Sequence, residues 1–304
     1  MYRSPVHVPK LSLASLLAAA VLFGPQAPAP PSTTRILHVN AIDAHRAPVS
    51  DLGIDDVVVK EDGKSREVLS IAPASDPLQI VILVDDNGTG IFRYGLAAFA
   101  QRMQGRAEIA LRVVTNQLQT IVDSTTNANE WLIGASRVGV RPATPEGGQL
   151  LEGIFEAAKD LRRREARHPV ILALTVGGPE QSPRQPGQVL DELWRSGAML
   201  HVILVDNPAV RPTRPATKPS DLLEDTFNLS RVLADGPKES GGQRRDVLAV
   251  GVLQVEVQEV ARNLLSQYVI HYTQPVAKNP PRRLQVTSPR PGVTIVAPSR
   301  VPTR

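Results

Sequence analysis

Leu78-Gln79-Ile80-Val81-Ile82-Leu83-Val84 is a run of aliphatic side chains with one polar interruption, and it ends in Asp85-Asp86-Asn87-Gly88-Thr89-Gly90. A strand with one wet face alternates apolar and polar residues. A continuous run instead belongs to a strand covered on both faces, as in a parallel sheet flanked by helices. The residues that follow agree. Phe92, Leu96, Phe99 and Met103 fall on one helical stripe. Strands are expected at 108–115 and 119–123, then a helix over about 149–163 that buries Leu150, Ile154, Ala158 and Leu161. An apolar run Val170–Leu174, a helix over 189–195 and a strand over 199–205 complete the series. Alternation of this kind gives a Rossmann-like α/β fold, a mostly parallel sheet with helices on both faces. Such sheets take ligands beyond the carboxyl ends of their strands. That rule points to the loops after Val84, Leu174 and Val205.

The flanks read differently. In the segment 31–77, Asp62-Gly63 lies between Val57-Val58-Val59 and a return strand over Glu67–Ile71, a hairpin signal because the tight turn needs positive φ. Pro73 and Pro77 mark a boundary before the α/β domain, 78–265. Within that domain, 207–246 is rich in Pro, Gly and polar residues and reads as an irregular excursion, with a short helical candidate at 221–233. A helix with Leu253, Val257, Val260 and Leu264 at core spacing follows. The closing segment, 266–304, has strand-like runs at Tyr268–Thr273, Arg283–Ser288 and Val293–Val296, which could join the amino-terminal hairpin in a small β unit. In residues 1–30, Arg3 and Lys10 precede the apolar run Leu11–Phe23 and a Gly-Pro-Ala stretch. This has the form of a signal peptide, with an uncleaved anchor as the alternative, and the run falls short of the roughly twenty residues that span a bilayer. The mature chain is therefore expected outside the cytoplasm, periplasmic or secreted.

The absence of cysteine excludes disulfides, thiolate nucleophiles and Cys-ligated zinc. Aromatic residues make up only 4%, which disfavours a stacking surface for sugars or bases, so no nucleic-acid partner is expected. The net charge is +4, and the tail after Lys278 has no Asp or Glu, so it could touch an anionic surface. There is no His-Glu-x-x-His, nucleophile elbow or phosphate-binding loop. His38, His168, His201 and His271 read as strand-edge or core residues. Asp85 and Asp86 could form an acid–base pair, but neighbours on extended chain point apart. The chain is accordingly read as a non-enzyme; a hydrolase of unrecognised type and an envelope scaffold are the rivals.

In Asp85-Asp86-Asn87-Gly88-Thr89, oxygen donors recur at every second position, a pattern that can converge on a hard cation. An EF-hand would need Glu where Leu96 stands. The stretch Leu83–Thr89 resembles the Asp-x-Ser-x-Ser loop of von Willebrand factor type A (VWFA) domains, the first part of a metal-ion-dependent adhesion site. Further landmarks resemble a bacterial VWFA-related family: Val49-Ser50-Asp51-Leu52 with Asp55–Gly63, Gly147–Leu151, and Leu264–Thr273. The resemblance implies a VWA-like fold and a protein partner bound at the strand-end loops. It also implies Asp85, Asn87 and Thr89 as ligands for Mg²⁺ or another divalent cation. Gln149 stands where the family has a second-loop Thr, and Val176 where it has a third-loop Asp, so the site is degenerate and metal binding is expected to be weak. Asp86, Gln149, Thr175 and Glu180 are the residues expected to face the partner, with Asp86 or Glu180 able to stand in for the missing carboxylate.

Overall fold

The computed structural model describes residues 32–139, 147–210, 219–275 and 282–302. The expected signal segment lies outside them.

The amino-terminal strands are β1 (Ser32–Ile42), β2 (Val58–Glu61), β3 (Lys64–Arg66) and β4 (Val68–Pro73). The α/β series then runs β5 (Leu78–Asp85), α1 (Arg93–Met103), β6 (Ala107–Val114), β7 (Leu118–Thr125), α2 (Ala128–Arg137), α3 (Leu150–Arg163) and β8 (Pro169–Thr175). It continues through α4 (Pro186–Ser196), β9 (Met199–Val205), α5 (Pro219–Ser240), β10 (Arg244–Val247) and α6 (Leu253–Leu265). Three closing strands follow: β11 (Tyr268–Pro275), β12 (Leu284–Thr287) and β13 (Thr294–Val296).

The central sheet has the order β10-β9-β8-β5-β6-β7, parallel throughout except for the antiparallel edge strand β7. This is the mostly parallel, helix-flanked sheet that the aliphatic run implied. Along β5, Ile80, Ile82 and Val84 enter one core, with Phe92 just before α1, Leu96 and Phe99 of α1, Trp131 of α2, and Val257 and Leu264 of α6. Val81 and Leu83 enter the other, with Ile154 and Leu161 of α3, Val189 and Leu193 of α4, and Val232 of α5. A strand alternates its side chains between faces, so two apolar faces need an unbroken apolar sequence. α4 opens on Pro186, where a missing N–H costs nothing, and ends on Gly197 in the left-handed conformation (φ 68°).

The terminal segments do form a small β unit. β1 pairs with β11 and β13, and β4 with the other edge of β11, giving the order β13-β1-β11-β4. A second sheet, β12-β2-β3, supplies Val59, Leu284 and Val286 to a core shared with Leu37, Val39, Ile270 and Tyr272. Inside it the Tyr272 hydroxyl donates to Glu61 Oε1 at 3.0 Å, and Arg66 pairs with Glu61 at 2.8 Å. A buried carboxylate is thereby neutralised and hydrogen-bonded.

Three expectations are corrected. The hairpin turn is Asp62-Gly63, with φ of 46° and 79°, but its return strand starts at once at Lys64. The chain then changes sheet, so the expected strand at 67–71 is β4, partner of β11. The excursion 207–246 contains a 22-residue helix and a strand, α5 and β10. The helical candidate at 221–233 lies within α5; the helix's extension to Ser240 was masked by Gly236-Pro237, where a bare Cα allows close approach: a Cβ at Gly236 would lie 2.8 Å from Leu200. Finally, α2 was not anticipated.

Candidate functional site

The parallel register brings the carboxyl ends of β5, β6 and β8 together, and Asp85, the last residue of β5, lies opposite Thr175. The Thr175 hydroxyl donates to Asp85 Oδ2 at 2.7 Å, while Thr175 Oγ1 accepts from the Gly177 amide at 2.9 Å. The Val176 amide donates to the Asp85 carbonyl at 3.0 Å. On its other side Asp85 is overlaid by backbone. A Cβ at Gly148 would stand 2.9 Å from Asp85 Oδ1, so only glycine admits the carboxylate at that distance.

Asp86 turns the opposite way and is fully buried. Its Oδ1 accepts from the Gly88 amide at 3.0 Å and its Oδ2 from the Gly90 amide at 2.8 Å. Its carbonyl accepts from both the amide and the hydroxyl of Thr89, at 3.0 and 2.8 Å. Asn87, Gly88 and Gly90 all have positive φ (48°, 81° and 69°). A buried carboxylate with each oxygen on a backbone N–H holds such a loop in one shape.

Glu180 is also buried, 3% exposed. It lies over the amino end of α3, where its Oε2 accepts from the amides of Leu150 and Leu151 at 3.0 and 3.4 Å, and its Oε1 accepts from that of Ser182 at 3.0 Å. Helix-terminal amides favour a carboxylate. Burial, followed by the nearby charge of Asp85, nevertheless pushes the Glu180 carboxyl up to about 8. Gln149 is the N-cap residue of α3. Its side chain makes no capping bond, and its amide donates to the Thr115 carbonyl at 3.2 Å.

Asp85, Asn87, Thr89 and Gln149 are therefore gathered on one edge, partly exposed. Asp86, Thr175 and Glu180, expected to face a partner, are buried, which corrects the expectation of direct contact: each holds a residue or loop of the edge in place. The donor set does not fit a tightly held divalent ion. Val176 occupies the third-loop carboxylate position and is fully buried in the apolar core. Glu180 is committed to three amides, and Asp86 points into its own loop. Of Asp85, Asp86 and Glu180, only Asp85 is partly exposed on the edge, flanked by neutral oxygens. Among the described residues no group of three or more His, Asp or Glu side chains is placed to hold a metal.

Sequence reasoning missed the close approach of Gly148 and the apolar residues around the edge. Tyr94, in the first turn of α1, is 67% exposed; Leu248, just after β10, is 73% exposed; Val252 and Val255 flank the start of α6 at 44% and 55%. The signal was present in Leu248–Val255, an apolar stretch too dense for the stripe of a single buried helix face.

No protein-family model and no curated protein matches the chain. Solved structures similar to it include the proximal thread matrix protein 1 of the mussel byssus, with a zinc-occupied metal-ion-dependent adhesion site motif. That match has 12% identity and a TM-score of 0.46 over 69% of this chain and 50% of that one. A von Willebrand factor type A structure from Catenulispora acidiphila gives 11% identity and a TM-score of 0.41, covering 91% and 74%. A pilus adhesin from Lactobacillus rhamnosus gives 11% and 0.44, covering 75% and 44%. The chain thus spans about half the length of the mussel protein. Its own sheet order and helix placement are those of a Rossmann-like, mostly parallel α/β fold with helices on both faces.

Proposed function

We propose that this chain is an exported protein-binding module that meets its partner with the loops at the carboxyl ends of the central sheet and does not depend on a tightly held metal. The observation that carries this reading is the ring of exposed hydrophobic side chains beside a loop fixed in advance. Tyr94 and Val255 lie in the first turns of α1 and α6, and Leu248 and Val252 between the end of β10 and α6, all at the end of the sheet where Asp85 sits. α1 and α6 are packed together there, since a Cβ at Gly95 would lie 3.1 Å from Val257. Large apolar and aromatic side chains next to preorganised polar groups are the usual anchors of protein interfaces. Asn87, Thr89 and Gln149 supply hydrogen-bonding groups on the same edge. Export rests on the sequence pattern of residues 1–30.

The test combines capture and calorimetry. The chain should retain a partner from envelope extracts equally well with and without chelator, and the double substitution Tyr94→Glu, Val255→Glu should abolish that capture. Titration with Mg²⁺ or Mn²⁺ should give the same flat trace for the native chain and for Asp85→Ala. Metal heat that disappears in Asp85→Ala would restore a metal-dependent site. Capture that survives the double substitution would remove the edge from consideration.

A further inference from the structure

A second surface lies by the other end of the sheet, where α5 finishes at Ser240 just before β10 starts. There the last turns of α5 face the β2–β12 pair across an open cleft of about 1150 Å³. On β2 the buried residues are Val59 and Glu61, so Lys60 and the turn residue Asp62 take the outer face; Gln285, paired with Lys60, lies there too. Among the described residues eight charged side chains line the cleft, and their pairing is unequal. Arg300 stacks over Trp194 at 4.0 Å and bonds Asp191 at 3.3 Å and Glu239 at 3.6 Å. Asp235 pairs with Arg231 at 3.8 Å. Asp62 accepts from the backbone amides of Arg282 and Arg283 at 3.3 and 2.9 Å, and both arginines are exposed, their charges also helping to hold the Asp62 carboxyl below its ordinary value. The acids are thus engaged, whereas Lys60, Lys238, Arg282 and Arg283 form no ion pair with any described acidic side chain.

We propose that this cleft binds an acidic peptide segment of a partner protein, with Lys60, Lys238, Arg282 and Arg283 receiving its carboxylates. Two arginine forks and two ammonium groups around an open trough match carboxylates spaced along an extended chain. Among the described residues no aromatic side chain lines the cleft, so bases or sugar rings find no stacking partner there. Asp62, Asp235 and Glu239 interrupt the positive surface, which penalises a continuous polyanion more than a peptide whose carboxylates are separated by neutral residues. The proposal is independent of the strand-end edge, because none of its residues lies there.

Fluorescence anisotropy of a labelled peptide alternating Glu with Gly, added to the full chain, tests this. Binding should weaken with salt, and Lys238→Glu with Arg283→Glu should weaken it about tenfold or more. The control, Arg102→Glu with Arg137→Glu, makes the same charge change on exposed helix ends and should have little effect. If the first double variant melts early, Arg282→Gln with Arg283→Gln replaces it, since the main-chain bonds to Asp62 remain. The proposal fails if a Gln-for-Glu peptide binds equally well, or if the control pair loses as much affinity. It also fails if sulfated oligosaccharide or phosphatidylglycerol vesicles hold the chain against excess peptide.

Discussion

Asp85 and Asp86 are adjacent and chemically identical, yet their side chains have opposite tasks. Asp85 stays at the edge beside Thr175, and Asp86 is buried beneath the loop it shapes. Asp86→Ala removes two charge-assisted bonds and leaves two loop amides without their acceptor. It should lower stability by about 2–4 kcal/mol in urea unfolding and abolish partner capture through a residue that touches no partner. Asp86→Asn, with one acceptor left, should fall between. The turn was legible, because Asp followed two residues later by glycine is a turn signal. Glu180 was not. Its bonds reach Leu150 and Leu151, 30 and 29 residues away, and no local pattern announces such a contact. Its carboxyl titrates near 8 in the folded chain against an ordinary 4.5, so the folded state holds the proton more tightly. The resulting stabilisation is complete below about pH 4.5 and is lost as pH rises through 8. The stability difference between the native chain and Glu180→Gln should therefore slope across this window and level above it. A flat difference would mean that Glu180 is ionised throughout.

At the scale of elements, the strands and helices that bury a full apolar face were the ones that could be read. β5, β8, β9 and α3 lie within a residue or two of their expected bounds because burial dictates nearly every position. α2 escaped because it is short and half solvated, with Trp131, Gly134 and Ala135 as its buried residues. One local signal was available: Asn127 Oδ1 accepts from the amides of Asn129 and Glu130, an N-cap arrangement with Glu in the third helical position. Gly134 explains how α2 lies so close to β7. A Cβ there would stand 1.9 Å from Val122 Cγ2. Gly→Ala inside a helix ordinarily gains about 1 kcal/mol. Here Gly134→Ala should instead destabilise by about 1–3 kcal/mol, as overpacking does. Urea midpoints of Gly134→Ala and of Gly134→Ala with Val122→Ala would check this, the second change restoring part of the loss. A stabilised single variant would mean that α2 can lift from the sheet at no cost. That Val176 offers no ligand was legible for a different reason: a valine side chain has no donor atom, whatever the fold around it.

The whole molecule is tied together by its ends. β1 precedes the α/β series and β11 follows it, yet they pair in register from Ser32–Pro275 to Val39–Tyr268, so the small β unit forms only after the chain has gone through the sheet and returned. Where this unit meets the amino ends of the central strands, His38 of β1 stacks on His168, just before β8, with ring centroids 3.9 Å apart. His168 Nε2 bonds Gln267 Oε1 at 2.7 Å, and Gln267 Nε2 donates to Asn40 Oδ1 at 3.2 Å. Burial, then the charges of His168 and His271, lowers His38 to about 3; burial also lowers His168. Within the sheet, burial and Arg245 lower His201 to about 4. All three are neutral in the folded chain and titrate near 6.5 when it unfolds, so the unfolded state binds protons first as pH falls. Their stabilisation is complete above about pH 6.5 and is lost as pH falls toward the folded values, on the order of 2 kcal/mol each for His38 and His201 between pH 7 and pH 5, with His168 acting in the same direction. Denaturant unfolding should show a steep decline across that interval. His38→Gln with His201→Leu should flatten most of it, because a neutral amide and an apolar side chain carry no proton into the unfolded state. If the slope persists in that variant, acid acts on the fold through other groups, and the stacked pair is only packing.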